Sequence, residues 1–466
     1  MSAPVTAHVH RTARIRLRLT RHQADRCYQM LRSAGDVWAW LLDMNRRRVQ
    51  QGNPPITNYQ ALCRELTKTN GFGELSTVGA RSVLRRYADA WFQATRRRNQ
   101  QRAGFPRRKR GLVPVRCYHG MFRIEDQRVR LPVQRGQPEL WVRLARSLPY
   151  SPEQVRSVTL LADGGRLWLA VTAAVPVQKQ DLDPKRVAGV DLGIIHPYAV
   201  ATPEAGLLVS GRALRAESYL HLEDRKARQV NAASHSPKPG QRGSRRWKRH
   251  RVRQRRVEAR HRRRIHQAQH EAAKQVVAFA VRQRIGTLAV GDLRGITDRD
   301  MGRVQNLRLR HWSRTHLLQA LRDKAEQTGI SVRLVDERGT SSTCPTCRRR
   351  VPKPKGRLFA CPRCTFQGHR DLVGAFNIAA KTSGGPTSTG MPVLVEHRRV
   401  GIVPARRDRR RHLHDQRRRR SCLASGHPGD APVSPGCRSS SVQIDLSARR
   451  GSSGAAENGR RCLKGH

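Results

Sequence analysis

The chain has 466 residues, which is enough for two or three domains and at least one sizeable buried core. Lysine and arginine number 93 against 34 acidic residues, so the formal net charge is +59, which favours a polyanionic partner such as nucleic acid over a merely solvated basic surface. The sequence has no long apolar run, amphipathic anchor or apolar signal region, so we expect a cytoplasmic, nucleoid-associated protein without a membrane partner.

Residues 10–183 have the pattern of a mixed strand and helix module. Basic and apolar residues alternate over 10–20, which predicts a strand, and apolar residues at helical spacing over 21–50 and 82–101 predict two helices. Short strands follow, and the last pair turns at 163–165, where Asp-Gly-Gly is a hairpin signal.

Strands alternate with helices over residues 184–382, which predicts an α/β sheet covered on both faces. An arginine-rich segment, 244–264, leads into one of the helices. Residues 383–466 are rich in serine, glycine and arginine with few apolar anchors, so they are predicted to form a disordered basic tail. The chain is therefore predicted to be an α+β multidomain protein.

Four of the ten cysteines form two pairs, CPTC and CPRC, separated by 13 residues. Two such knuckles bring four thiolates to the corners of a tetrahedron, which is the geometry that Zn²⁺ prefers. Two disulfides are the alternative, and a reducing compartment disfavours them. The predicted ligands of a structural zinc ion are Cys344, Cys347, Cys361 and Cys364.

Two aspartates stand out by their position. Asp191 ends an apolar strand, where an aspartate is often a turn residue, and Asp371 opens a helix, where it is often a favourable N-terminal charge. Their context favours a site, because VAGVDLGIIHPYAV, the cysteine knuckles and HRDLVGAFNIA occur in this order.

This order of motifs resembles the TnpB family of transposon-encoded, RNA-guided DNA nucleases, which are related to compact type V CRISPR effectors. GVDLGI is similar to the first motif of the family's RuvC-like domain, LAVGDLRGI to the second and HRDLVGAFNIA to the third, while RHRRRIHQAQHEAAKQVV resembles its basic bridging helix. VDERGTSSTCPTC resembles the lead-in to its zinc ribbon, and GFPRRKR and FRIEDQRVRLP resemble amino-terminal features. The resemblance covers about residues 10–382.

The resemblance implies a β-barrel wedge with a helical recognition module over 10–183 and a RuvC-like, RNase H-like nuclease domain over 184–382. A zinc ribbon is expected within the second domain at 340–368. The implied partners are a guide RNA and a target DNA. In the family three carboxylates hold two Mg²⁺ ions, which activate water and stabilise the leaving oxygen of a DNA phosphodiester, and Asp191 and Asp371 match the first and third carboxylates.

The second carboxylate of the family falls on Gly291, which has no side chain. Asp292 is the nearest acid, but neighbouring residues of a strand point to opposite faces, and a register slip would misplace Leu293. Asp336 and Glu337 end the next strand, which should lie beside this one, and Glu337 is the preferred substitute.

The sequence thus favours a guide-RNA-dependent DNA-binding protein whose cleavage is lost or impaired. The alternatives are an active endonuclease with Glu337 as the relocated acid, and a plain basic zinc-ribbon DNA-binding protein of the transposase type. The predicted phosphate contacts are basic residues of one loop and of the arginine-rich segment: Arg107, Arg108, Lys109, Arg245, Arg246, Lys248, Arg249, Arg251, Arg253, Arg255 and Arg256.

Overall fold

A computed structural model gives the fold of most of the chain up to residue 402. The residues that it describes are 8–69, 71–98, 106–107, 111–178, 180–292, 302, 306–307, 309, 312–352, 356–382, 391 and 394–402. Arg108 and Lys109 of the predicted basic loop lie outside these residues, and so does most of the predicted tail.

A seven-stranded antiparallel sheet forms the amino-terminal part, in the order β2-β6-β7-β1-β5-β4-β3. Its strands are β1 (His8–Arg18), β2 (Val115–Tyr118), β3 (Arg123–Glu125), β4 (Arg128–Leu131), β5 (Leu140–Leu144), β6 (Val155–Asp163) and β7 (Arg166–Pro176). The predicted hairpin is confirmed: Gly164 and Gly165 have φ of 62° and 71°, the left-handed conformation that a two-residue type I′ turn requires.

Three helices cover this sheet: α1 (Arg21–Gln50), α2 (Tyr59–Thr67) and α3 (Thr77–Arg98). The side chains of Thr20 and Gln23 form a capping box that fixes the start of α1. Fully buried Trp38 of α1 meets Tyr87 of α3 edge-on, with 5.3 Å between ring centroids. These aromatic rings anchor the helices to each other and to the sheet.

A second, mixed sheet has six strands in the order β12-β11-β8-β9-β10-β15. Its strands are β8 (Asp183–Asp191), β9 (Tyr198–Ala201), β10 (Ala205–Ser210), β11 (Ile285–Asp292), β12 (Ser331–Asp336) and β15 (Leu394–Arg399). β8, β11 and β12 run parallel, whereas β9 is antiparallel to both of its neighbours. Strands β13 (Leu358–Ala360) and β14 (Gln367–His369) form a separate two-stranded sheet.

Within the described residues, the long helices of this second part are α4 (Arg212–Ala233), α5 (Arg245–Arg282), α6 (Arg314–Gln327) and α7 (Arg370–Thr382). On β9, Tyr198 and Val200 share a core with α5 and α6, while Ala199 and Ala201 share a core with α7. The sheet is therefore covered on both faces, as the alternation of strands and helices predicted.

Helix α7 lies unusually close to β8. A Cβ added to Gly189 of β8 would overlap the carbonyl oxygen of Ala375, and a Cβ added to Gly374 would lie 3.1 Å from Asp191 Oδ2. Two residues without side chains therefore set the distance between the strand that ends at Asp191 and the helix that begins beside Asp371.

Helix α5 connects the two sheets. Near its middle, Ala259 packs on the β6–β7 turn, since a Cβ added to Gly164 would lie 2.7 Å from the Ala259 Cβ. Asp163 at the same turn accepts hydrogen bonds of 2.7 Å from Arg262 and from Arg263. The carboxyl-terminal half of the helix is buried against the second sheet.

Strand β15 corrects the prediction that a structureless tail begins at residue 383. It pairs in parallel with β10 over its whole length, Arg282 of α5 bonds both Glu396 oxygens at 2.8 and 2.9 Å, and Val400 is buried just beyond it. Its sequence, LVEHRR, is short and half charged, so its composition resembles that of the arginine-rich residues around it. The backbone hydrogen bonds with β10 order these residues as a strand, which their composition does not predict.

The described residues all belong to one compact unit, Met1–Val403. None of the helices in this described part has the length and apolar character needed to cross a membrane. The predicted α+β class is confirmed.

We predict that Gly189→Ala destabilises the protein, because the added methyl group must displace the backbone of α7. Overpacking of this kind costs about 1–3 kcal/mol of unfolding free energy. Urea unfolding followed by circular dichroism measures the change, with Gly401→Ala as the control because nothing lies within 4 Å of a Cβ at Gly401. Equal midpoints for the two variants would contradict this reading of the α7–β8 contact.

Candidate functional site

Three parallel strands end at the same edge of the second sheet. In the β8–β11 pair Val190 lies opposite Val290, so Asp191 and Gly291 are the next residues of their strands. In the β11–β12 pair Gly291 lies opposite Val335, and Glu337 directly follows β12. The carboxyl ends of these strands therefore bring Asp191, Gly291 and Glu337 together at one edge of the sheet.

The side chain of Glu337 lies over Gly291. A Cβ added to Gly291 would be 2.7 Å from Glu337 Oε2 and 3.3 Å from Glu337 Cβ, and 3.1 Å from Ile378 Cδ1. Glu337, which follows β12, thus occupies the space in which a side chain at position 291 would begin. Any larger residue at 291 must displace the Glu337 carboxylate.

Hydrogen bonds from neighbouring side chains hold the backbone around Glu337. Lys381 near the end of α7 donates to the carbonyl oxygens of Asp336 and Arg338 at 2.8 and 2.9 Å. The Thr340 hydroxyl donates to the carbonyl oxygen of Glu337 at 2.8 Å. Because the backbone on both sides of the residue is fixed, Glu337 has a defined position at the edge of the sheet.

Asp371, in the first turn of α7, has two side-chain partners that the sequence analysis missed. His196 Nδ1 lies 2.8 Å from Asp371 Oδ2, and Arg357 Nη1 donates to both Asp371 oxygens at 3.0 and 2.9 Å. His196 is brought there by a tight turn, in which the backbone N–H of Gly193 donates to the His196 carbonyl oxygen at 3.0 Å. No sequence signal links His196 or Arg357 to Asp371, because the pairing depends on the packing of α7.

His369 completes a group around Asp371. Its ring centroid is 5.2 Å from that of His196, and one ligand atom each from His196, His369 and Asp371 lie within 4.8 Å of one another. Within the described part of the chain, the four paired cysteines form the other such group. Asp191 and Glu337 belong to neither group.

The carboxylates differ in their electrostatic environment. Burial, together with the negative charges of Asp371 and Glu337, raises the pKa of Asp191 to about 7. Burial, with Asp292 and Asp336 nearby, raises the pKa of Glu337 to about 7. Burial also acts to raise the pKa of Asp371, but the hydrogen bond with His196 and the charge of Arg357 hold it below its ordinary value. Asp191 and Glu337 therefore favour protonation or a nearby cation. The negative charge of Asp371 is already balanced by His196 and Arg357.

The four paired cysteines lie together, as predicted. All four are free thiols, with 3.6 Å between the Sγ atoms of Cys344 and Cys364 and between those of Cys347 and Cys361. Four sulfurs bonded to one zinc ion at about 2.3 Å would be about 3.8 Å apart at the corners of a tetrahedron. The donor set and its spacing therefore fit a zinc ion.

Asn377 ties the cysteine module to α7. Its buried amide donates to the carbonyl oxygens of Thr340 and Thr343 at 2.7 and 2.8 Å, immediately before the first knuckle. The cysteine cluster and Asp371 are thereby connected through one helix.

The predicted phosphate contacts of α5 are all exposed: Arg245, Arg246, Lys248, Arg249, Arg251, Arg253, Arg255 and Arg256. None of these eight forms an ion pair with an acid in the described part of the chain, whereas Arg262, Arg263 and Arg264 further along α5 do. Arg107 is exposed, and its carbonyl oxygen accepts a hydrogen bond from Trp38 at 3.0 Å.

Two family models match the chain. The OrfB_IS605 model, described as a probable transposase, matches residues 170–297, and the Cas12f1-like TNB domain model matches 315–378. Together these segments contain β8, β11, the cysteine cluster and most of α7.

Two curated proteins are similar over about a quarter of the chain. The CRISPR-associated endodeoxyribonuclease Cas12f1 of Sulfoacidibacillus thermotolerans is 30% identical over 115 residues, which are 24% of this chain and 25% of that protein. The TnpB-like protein MJ0751 of Methanocaldococcus jannaschii is 27% identical over 125 residues, which are 26% of this chain and 45% of that protein. The matches thus span less than half of each relative.

Among solved structures, a Cas12f1–sgRNA–target DNA complex contains a similar chain. The TM-score is 0.57 at 13% identity, over 80% of this chain and 99% of that one, which shows a common fold. The fold and site thus define an α+β protein with an acidic strand edge beside a four-cysteine cluster. The resemblance predicted from the motifs is confirmed: the chain is similar in sequence to TnpB-like and Cas12f1 proteins and shares the fold of a Cas12f1 chain.

We predict that divalent ions bind at this edge more tightly as the pH rises from 6 to 8. Below about pH 7 Asp191 and Glu337 hold protons, and a protonated carboxyl is a poor ligand. Without metal the sign is opposite: the raised pKa values mean that the folded state keeps protons that the unfolded chain releases, so these groups lower stability as the pH rises from about 4 to 7.

Thermal unfolding at pH 6, 7 and 8, with and without Mg²⁺, measures both trends. Asp191→Asn should reduce both, because the amide cannot titrate. A stabilisation by Mg²⁺ that is equal at the three pH values, or unchanged in Asp191→Asn, would contradict the assignment.

Proposed function

We propose that the protein is an RNA-guided DNA-binding protein and Mg²⁺-dependent DNA endonuclease, in which Glu337 replaces the carboxylate that is missing at Gly291. A guide RNA and a target DNA are its partners. The relatives' names support this class, since one is a CRISPR-associated endodeoxyribonuclease and the similar solved chain is bound to a single-guide RNA and target DNA.

One observation carries the assignment of cleavage: the Glu337 carboxylate fills the space of the side chain that residue 291 lacks. The sequence alone favours loss of cleavage, since Gly291 has no carboxylate. The position of Glu337, its fixed backbone and its effect on the pKa of Asp191 favour the alternative, an active site with a relocated acid.

Asp191, Glu337 and Asp371 are the residues that would hold divalent ions. Oxygen donors of this kind suit Mg²⁺, and the raised pKa values of Asp191 and Glu337 indicate a place where a cation offsets repulsion between acids. A bound Mg²⁺ supplies Lewis-acid activation of water and stabilises the leaving oxygen of a phosphodiester. Arg357 neutralises Asp371 and is exposed enough to contact a DNA phosphate.

In this proposal the amino-terminal sheet and helices act as the wedge and recognition module, and residues 184–382 form the RuvC-like domain. Zn²⁺ at Cys344, Cys347, Cys361 and Cys364 has a structural role, because four thiolates leave no open coordination position. Sequence is read by base pairing with the guide, so the protein needs mainly backbone contacts. The exposed arginines at the start of α5 suit that task.

We predict that Glu337→Gln lowers the rate of guided plasmid cleavage in Mg²⁺ by on the order of 10²–10³-fold, the usual loss when one electrostatic group of an active site is removed. Asp336→Asn is the matched control, because Asp336 is the neighbouring exposed acid. DNA binding should be equal in both variants. RNA that co-purifies with the protein supplies the guide.

The exchange Glu337→Ala with Gly291→Glu should recover cleavage, since it returns a carboxylate to the adjacent strand. Two results would reject the relocated acid: full activity in Glu337→Gln, or an inactive wild type that Gly291→Glu alone activates. The second result would establish a binding protein with a lost nuclease.

We predict that Arg249→Ala and Arg253→Ala weaken binding of the guide complex and lower the slope of log K against log salt by about 1 per residue. Arg186→Ala changes the charge equally and is the control, since Arg186 pairs with exposed Glu204 on the surface. Ribonuclease treatment should abolish specific DNA binding. DNA binding that survives this treatment would instead indicate a plain basic DNA-binding protein.

A further inference from the structure

His196, His369 and Asp371 form a compact group of possible metal ligands beside the carboxylates discussed above. One ligand atom from each side chain lies within 4.8 Å of the other two, and all three residues are partly buried. The two imidazole rings lie 5.2 Å apart at an interplanar angle of 72°, so they meet edge to face. Three side-chain donor atoms this close together can ligate one metal ion, with positions left open for water or a ligand.

From this geometry we propose that His196, His369 and Asp371 bind one divalent first-row transition-metal ion, such as Zn²⁺ or Mn²⁺. The class of ion follows from the donors, because imidazole nitrogen binds first-row transition-metal ions such as Zn²⁺, whereas Mg²⁺ is bound mainly through oxygen. This site is therefore distinct in its preference from the oxygen donors Asp191 and Glu337, although Asp371 lies between the two sets. Metal binding at His196, His369 and Asp371 can be measured whether or not the protein cleaves DNA.

The ordinary alternative is a hydrogen-bonded pair, in which the imidazole of His196 simply orients Asp371. His369 argues against a pair alone, because it adds a second imidazole within reach of the same carboxylate.

Arg357 places a positive charge beside Asp371, where the metal ion would bind. Its Nη1 donates to both Asp371 oxygens, yet the side chain is 44% exposed. The guanidinium thus supplies the positive charge that the ion would otherwise supply, and it can leave towards solvent when the ion binds. An arginine and a cation then compete for the same carboxylate.

Mn²⁺ is the probe, because it is paramagnetic and thiolates bind it poorly, so the cysteine cluster does not interfere. The full-length chain is used with Asp191→Asn and Glu337→Gln, which remove the neighbouring oxygen donors. Pulsed EPR should show Mn²⁺ coupled to ¹⁴N of two imidazoles. His196→Gln and His369→Gln should each remove one coupled nitrogen and weaken Mn²⁺ binding by at least about tenfold.

His235→Gln is the matched control, because His235 is exposed after the end of α4 and its ring nitrogen lies at hydrogen-bond distance from its neighbours Ser234 and Asn231. Arg357→Gln should tighten Mn²⁺ binding several-fold, since it removes the competing cation, whereas a purely structural arginine would not have this effect. Bound Mn²⁺ without ¹⁴N coupling, or affinities unchanged in both histidine variants, would overturn the proposal. Failure of the proposed nuclease would be recognised separately, as absence of guided cleavage in Mg²⁺.

Discussion

The close contact between α7 and β8 is the constraint on which the site depends. Gly189 leaves room for the backbone of Ala375, and Gly374 leaves room for the Asp191 carboxylate. Without this approach, Asp371 would be held a side chain's width further from the strand ends. The alanines of β9 on the same face extend the narrow contact, since Ala199 and Ala201 pack against α7. Residues with small or absent side chains therefore carry as much of the geometry as the acids themselves.

The site is electrically asymmetric. The hydrogen bond with His196 and the charge of Arg357 keep the pKa of Asp371 low, whereas burial and neighbouring acids raise the pKa values of Asp191 and Glu337 to about 7. The chain as a whole has a formal net charge of +59, and the predicted phosphate contacts at the start of α5 are exposed, so that part of the surface attracts polyanions.

Much of this arrangement could be predicted from the sequence, because it follows from local pattern. The apolar strands, the Asp-Gly-Gly turn and the CxxC spacing each determine a local geometry, and parallel strands place their carboxyl ends together. The partners of Asp371 could not be predicted, since His196 is 175 residues away and meets it only through the packing of α7. Strand β15 was also missed, because six partly charged residues acquire order only by pairing with β10.

Strand and glutamate contacts at the sheet edge also bear on how such sequences diverge. The Glu337 carboxylate and a side chain at position 291 compete for one volume, so the two positions are epistatic: a change at either alters what the other can tolerate. A bulky residue at 291 would displace Glu337. Replacement of Glu337 by a small residue would leave a cavity that a larger side chain at 291 could fill. In the proposed function, Gly291 and Glu337 must therefore be considered as a pair, because the glycine leaves the space that the glutamate side chain occupies.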